Sequence, residues 1–240
     1  MNYIKIFLLL FACSAMFSCK KDKTTNPSYT CTTCKQTPDA LAANDGSSKG
    51  IYKGAVVGST GTISFNVLND GTTITARMVL DGIVVNLTST LTWQAGQPYV
   101  APFTGTLNGA AVSITFSVAA NGGSPIVTSS SIPGHPGTQF TLVKETSNSL
   151  IEVFEGTYHT TRPEDGTFNM LLSRSARVYG GQSRKSTSTS STDFNGTLTT
   201  DNKLKDPNGN ILGTLNADAI NGTFNDGNGN TVTITARRTL

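Results

Sequence analysis

Residues 112–118, Val112-Ser113-Ile114-Thr115-Phe116-Ser117-Val118, alternate apolar and hydroxyl side chains without a break. Successive side chains of an extended chain point to opposite faces, so this stretch reads as a strand with one buried face and one wet face. The same period of two recurs on either side. Ile63, Phe65 and Val67 share a face, as do Ile74, Ala76, Met78 and Leu80. Val85, Leu87, Leu91 and Trp93 follow, with Ser89 as a polar interruption, then Phe168, Met170 and Leu172, and finally Val232, Ile234 and Ala236. No comparable stretch keeps a helical period.

Turn chemistry falls between these runs, at Asn69-Asp70-Gly71, Asp81-Gly82, Asn108-Gly109, Asn121-Gly122-Gly123, Asp165-Gly166, Asp206-Pro207-Asn208-Gly209 and Asp226-Gly227-Asn228-Gly229. Gly, Asn and Asp adopt positive φ at little cost, and hairpins need that conformation. The expectation is an all-β, antiparallel meander. A second recurrence bends it: glycine, threonine and an apolar residue follow one another at Gly61, Gly105, Gly156, Gly166, Gly196, Gly213 and Gly222. Glycine at a fixed place in a strand permits sharp bending or close backbone approach, as barrel corners require. The predicted architecture is therefore a barrel or a barrel-like pair of curved sheets.

The stretch from Gly50 aligns loosely with the stretch from Gly156, and both halves close on Thr-rich strands, Thr138 to Val143 and Thr231 to Arg237. This suggests an internal duplication within a β domain at 49–240, with halves at 49–147 and 148–240. Two stacked units and one large barrel both fit that pattern. Before the domain, residues 19–48 are polar and carry Pro27 and Pro38, with few large apolar side chains. Such a composition reads as a flexible tether.

The first 18 residues have the three parts of a secretory signal: a short basic start with Lys5, an apolar run from Ile6 to Ala12, and small residues Ser14, Ala15 and Ser18 near its end. The apolar core is shorter than the roughly 20 residues that a spanning helix needs. Met16-Phe17-Ser18-Cys19 resembles a signal peptidase II lipobox, and Cys19-Lys20-Lys21-Asp22-Lys23 resembles the mature start of Bacteroidota lipoproteins. The resemblance implies diacylglyceryl and a further acyl chain on Cys19, enough for stable anchoring at about 0.8 kcal/mol per buried methylene. Lys20 in place of Asp after the cysteine implies, by the same resemblance, an outer-membrane destination, with the periplasmic and surface-facing sides both open.

With Cys13 in the signal and Cys19 lipidated, Cys31 and Cys34 remain, three positions apart. In an oxidising compartment a short disulfide is the expected reading, ahead of a redox or metal site. The nearest histidines, His135 and His159, lie far along the chain and have no metal-type spacing, so no metal and no cofactor is expected. The chain carries 18 Lys and Arg against 15 Asp and Glu, a net charge of +3, and only Lys5 of these precedes residue 19. Scattered charge of this size is no nucleic-acid footprint. The expected partner is a membrane, reached through the lipid on Cys19.

Asp206 to Asn210 and Asp226 to Asn230 alternate oxygen-bearing side chains in a way that invites calcium. An EF-hand loop begun at Asp206 fails, because position six is not glycine and position twelve is Ala217. Hairpin turns explain both pieces better, and turn chemistry likewise explains Glu164-Asp165. No persuasive Gly-x-Ser-x-Gly serine, carboxylate pair or histidine–nucleophile pair stands out, so no catalytic residue is assigned. The polar tract from Ser183 to Thr192 reads as a loop or an exposed strand. Trp93, Tyr52, Tyr99, Tyr158 and Tyr179 are side chains of the kind that stack on ligands, although aromatics in β proteins more often fill cores. The functional expectation is a lipid-anchored envelope protein that binds a small ligand, glycan or partner protein without catalysis. The alternatives are a structural or adhesion protein without a small ligand, and a hydrolase whose residues converge only in three dimensions.

Overall fold

The computed structural model describes residues 28–240. Cys19, the signal at 1–18 and the resemblance around Lys20–Lys23 lie outside the described residues. Among the described residues there are sixteen strands and a single 3-10 turn, Ala42–Asn44. The first eight strands are β1 (Gly50–Val57), β2 (Gly61–Val67), β3 (Ile74–Leu80), β4 (Ile83–Thr88), β5 (Tyr99–Leu107), β6 (Ala110–Val118), β7 (Ile126–Ser131) and β8 (Gln139–Glu145). The next eight are β9 (Glu152–Thr160), β10 (Glu164–Ser173), β11 (Val178–Lys185), β12 (Ser191–Leu198), β13 (Lys203–Lys205), β14 (Ile211–Asn216), β15 (Ala219–Asn225) and β16 (Thr231–Arg238).

All sheet pairings are antiparallel, and each group of eight is a meander whose first strand pairs with both its second and its last. In the second group that pairing closes the barrel. The first group has the same connectivity, but β7 and β8 are its two edges and leave a seam. The reason is local. β7 is Ser-rich and exposed along most of its length, and Pro133 and Pro136 in the connection to β8 lack the N–H a ladder needs. Ile132, buried, sits at the start of that connection and packs into the core.

The inward faces are those that the alternation predicts. In the first barrel Tyr52, Phe65, Phe103 and Phe116 are fully buried, with Phe65 stacked on Phe116 at 4.4 Å and edge-on to Phe103 at 5.0 Å. Ile63, Met78, Leu87 and Ile114 fill the space around them. Each such side chain contributes roughly 1.5–3 kcal/mol by leaving water. The Gly-Thr recurrence proves to be steric. A Cβ on Gly105 would lie 2.3 Å from the carbonyl of Asn86, and one on Gly196 would lie 2.1 Å from the carbonyl of Lys205 and 2.4 Å from the Tyr179 hydroxyl. Only glycine lets neighbouring strands coil this tightly around aromatic rings.

One expectation differs over Leu91 and Trp93. Strand β4 ends at Thr88, Leu91 is exposed, and the segment up to Tyr99 is irregular, its shape fixed by Trp93 Nε1 donating to Ser48 Oγ at 2.8 Å. A larger difference concerns the tether. From Tyr29 onward the chain is seated by specific bonds: Tyr29 bridges to Ala217, Cys31 N donates to Asp218, Asp39 N to Glu145, and Leu41 N to Asn69. Residues 28–48 thus form a strap across both barrels, and the flexible reading is corrected for that part. Composition could not show it, because the strap is held by polar bonds to side chains far along the chain.

The barrels meet over β1, every residue of which is buried. Ala55 packs with Ile151, Val153 and Leu171, and Asn169 Nδ2 donates to the Val56 carbonyl at 2.6 Å. Lys53 and Glu145 form an ion pair of 2.5 Å at this junction, both buried. The remaining capacity of the carboxylate is filled by the amides of Asp39 and Ile151.

Candidate ligand-binding cavity

The two barrels have equal strand numbers and unequal contents. Rings fill the first, whereas the second encloses a cavity of about 980 Å³ that opens at one end. The inward positions explain the contrast. Toward the closed end Phe154, Leu172, Leu198, Leu215 and Ile220 pack as a core. Toward the open end the wall carries Thr160, Ser183 and Thr192, too small to meet across eight strands. The volume lies at the upper end of the range for small-molecule sites.

The floor and wall are apolar, formed by Phe168, Met170, Phe194, Leu204, Phe224 and Ile234. Four hairpin tips make the rim: residues 161–163, 186–190, 206–210 and 226–230. Tyr158 and Glu164 lie at the first, where the phenol donates to Glu164 Oε1 at 3.3 Å and Lys185 Nζ donates to Oε2 at 2.7 Å. Hydrogen bonding from Lys185 holds Glu164 below the usual carboxylate range, while burial and the Glu164 charge push the Tyr158 phenol up to about 12. Deeper in the wall, Tyr179 is pushed up to about 12 by burial and by the charge of Asp206. Its hydroxyl is buried and has no hydrogen-bond partner among the described residues. Asp206 and Asp226 are both held below the ordinary range, chiefly by bonds from Asn210 and Asn230. Near neutral pH the phenols therefore keep their protons and these carboxylates stay ionised. Such a set can hydrogen-bond and attract charge.

Of the aromatic residues singled out from sequence, the fold divides five into two groups. Tyr158 and Tyr179 line the cavity. Tyr52 is core, with its hydroxyl on the Ser48 carbonyl, Tyr99 bonds Leu91 and Ser89, and Trp93 pins the strap. Glu164, assigned by sequence to a turn, stands on the rim, and the Ser183–Thr192 tract forms the ends of β11 and β12 with the tip between them. Nothing local to these residues marks a cavity; the signal was the run of small residues at inward positions, readable only once the strand register is known. The Asp206 and Asp226 segments are hairpin turns in which each carboxylate accepts from the amides of its own turn.

Cys31 and Cys34 are joined as a disulfide with Cα atoms 5.4 Å apart, within the strap and away from the cavity. His135 Nδ1 lies 2.5 Å from Ser59 Oγ and 3.9 Å from Asp81 Oδ2. Serine and carboxylate thus address the same ring nitrogen, so the carboxylate cannot orient the imidazole toward the hydroxyl as a catalytic relay requires. None of the three lines the cavity. His159 pairs with Asp165 at 2.5 Å on the exposed outer face of β9 and β10. Gly46-Ser47-Ser48-Lys49-Gly50 has the spacing of a nucleophile motif, but Ser48 is buried and its hydroxyl is committed to Trp93 and Gln97. Among the described residues no group of three His, Cys, Asp or Glu side chains is placed to hold a metal ion. No family model, curated protein or solved structure matches the chain.

Proposed function

We propose that this chain is a lipid-anchored protein of the cell envelope that binds a small ligand, without catalysis, in the cavity of its second barrel. The observation that carries the reading is the contrast between two barrels of equal strand number. One is filled to its axis by rings, and the other keeps about 980 Å³ open beneath a polar rim. A concave pocket with apolar walls and a few polar groups at its mouth is the usual form of a small-molecule site. In this reading the filled barrel and the strap are the support, and Cys19 carries the anchor to the outer membrane.

Ligand capture tests the binding role. The intact chain and a Thr192→Trp variant, which projects an indole into the open end of the cavity, are incubated with envelope extract, and the retained small molecules are identified by mass spectrometry. Enrichment on the wild type alone is expected; equal retention by both, or by neither, contradicts the assignment. The anchor has a separate test, since Cys19→Ala is expected to abolish acyl labelling and release the protein from membranes. A variant that stays in the membrane fraction refutes lipid anchoring.

A further inference from the structure

The rim of the cavity is electrically lopsided. On the β9–β10 side the Glu164 carboxylate is paired with Lys185, and Arg162 adds positive charge beside it. On the opposite tips Asp206 and Asp226 line the mouth, and neither forms an ion pair among the described residues. Their oxygens accept from their own turns: Asn210 N and Nδ2 for Asp206, and Asn228 N, Asn230 N and Asn230 Nδ2 for Asp226. Those bonds fix the carboxylates in place without cancelling their charge. An anion entering the mouth would approach two negative groups that face solvent, so their repulsion is modest and is screened by salt.

Two further features lie below that edge. The walls present the rings of Tyr158, Phe168, Tyr179 and Phe194, and aromatic faces attract cations, most strongly where water is excluded. The Tyr179 side chain is 95% withdrawn from solvent, its hydroxyl lacks a partner, and the ring belongs to the cavity wall. A buried polar group is normally satisfied, so an unpartnered one in a cavity wall marks where a ligand's polar atom belongs.

Resting on the binding role proposed above, we propose that the cavity takes an organic cation with an apolar body. This is an alkyl- or arylalkyl-ammonium whose hydrocarbon seats on Met170, Leu204 and Ile234 and whose N–H donates to the Tyr179 hydroxyl beneath Asp206 and Asp226. Binding is noncovalent, and the ammonium keeps its proton throughout.

Three probes of equal chain length separate the possibilities: octylammonium, octyl glucoside and octanoate. They are titrated calorimetrically into the full chain carrying Cys19→Ala, so that no detergent competes for the cavity. Octylammonium is expected to bind severalfold tighter than octanoate, about the scale of exposed charge contacts, and to weaken with added salt. Tyr179→Phe is expected to weaken octylammonium severalfold, and Asp206→Asn with Asp226→Asn to abolish its advantage over octanoate. The salt dependence of the unmutated chain stands as an independent readout if those turns rearrange. Octanoate binding as tightly as octylammonium, or a preference that survives both Asp→Asn changes, overturns the ammonium assignment while leaving the binding role intact. If none of the three probes binds, both fail.

Discussion

Arg238, on the last strand of the closed barrel, places Nη1 2.8 Å from Oε1 of Glu152, on its first strand, with both side chains buried. Two more charges join them. Arg174 Nε bonds the other Glu152 oxygen at 2.7 Å, and Arg174 Nη2 lies 3.1 Å from Asp218. Asp218 accepts the Cys31 amide, and Arg238 donates to the Lys35 carbonyl. The cluster therefore ties barrel closure to the strap. Removing Arg238 leaves two buried carboxylates, Glu152 and Asp218, to share the single cation Arg174, and under-compensated buried charge typically costs about 3–5 kcal/mol. Arg238→Met is expected to lower unfolding free energy in urea by that amount, and a loss below about 1 kcal/mol would deny the cluster its closing role.

A second buried carboxylate makes a local prediction. Glu145 takes the Lys53 ammonium and the amides of Asp39 and Ile151, so it joins the strap and the inter-barrel connection to β8. Glu145→Leu orphans all three donors. Hydrogen exchange is expected to speed up at Asp39 and Ile151 well before the barrel cores respond. Unchanged exchange at both amides would show that the strap is held by other contacts.

Glu155 behaves in the opposite sense. Burial at the junction raises its pKa and outweighs hydrogen bonds from Thr239 and Gly61 that lower it, with the charge of Asp81 adding a smaller upward push. A carboxyl whose folded pKa lies above its unfolded value favours the folded state fully only below the unfolded pKa, and that advantage is lost as pH rises through the folded pKa. At neutral pH the ionised, buried group is a liability. Glu155→Gln is expected to match or exceed wild-type stability at about pH 7, and its advantage is expected to vanish by about pH 4, where both chains carry a neutral side chain. Urea midpoints at the two pH values decide it; a variant that is less stable at neutral pH would show that the charge is paired.

The disulfide spans Cys31 to Cys34 and closes a very short loop. Loop-closure entropy for so few residues contributes at most about 2 kcal/mol. Reduction is therefore expected to loosen the strap around Tyr29, seen as faster exchange of the Asp218 amide that bonds the Tyr29 carbonyl, with little change in ligand binding. Loss of binding on reduction would place the disulfide in the site.

Period-two patterning was enough to read the inward faces of β2, β3, β6, β10 and β16, because a strand with one wet face must alternate. The Gly-Thr recurrence announced curvature, since only a bare Cα fits where Gly196 passes under Tyr179. What could not be read was content. Whether inward side chains meet across a barrel depends on register and on neighbours from distant strands, so Ser183 and Thr192 look alike in a loop, an exposed strand or a cavity wall. The strap was hidden for a related reason: Asp39 and Cys31 are anchored by Glu145 and Asp218, more than a hundred residues away.

Occupancy of the second barrel is the most direct test of the whole account. Nile red, a neutral apolar dye, can be titrated into the wild type, into Thr192→Trp and into Thr197→Trp, where the indole instead projects from the exposed face of the same strand. The account predicts saturable fluorescence enhancement at one site in the wild type and in Thr197→Trp, and its loss in Thr192→Trp. Equal enhancement in Thr192→Trp, or none in the wild type, would contradict the claim that this barrel is a binding site.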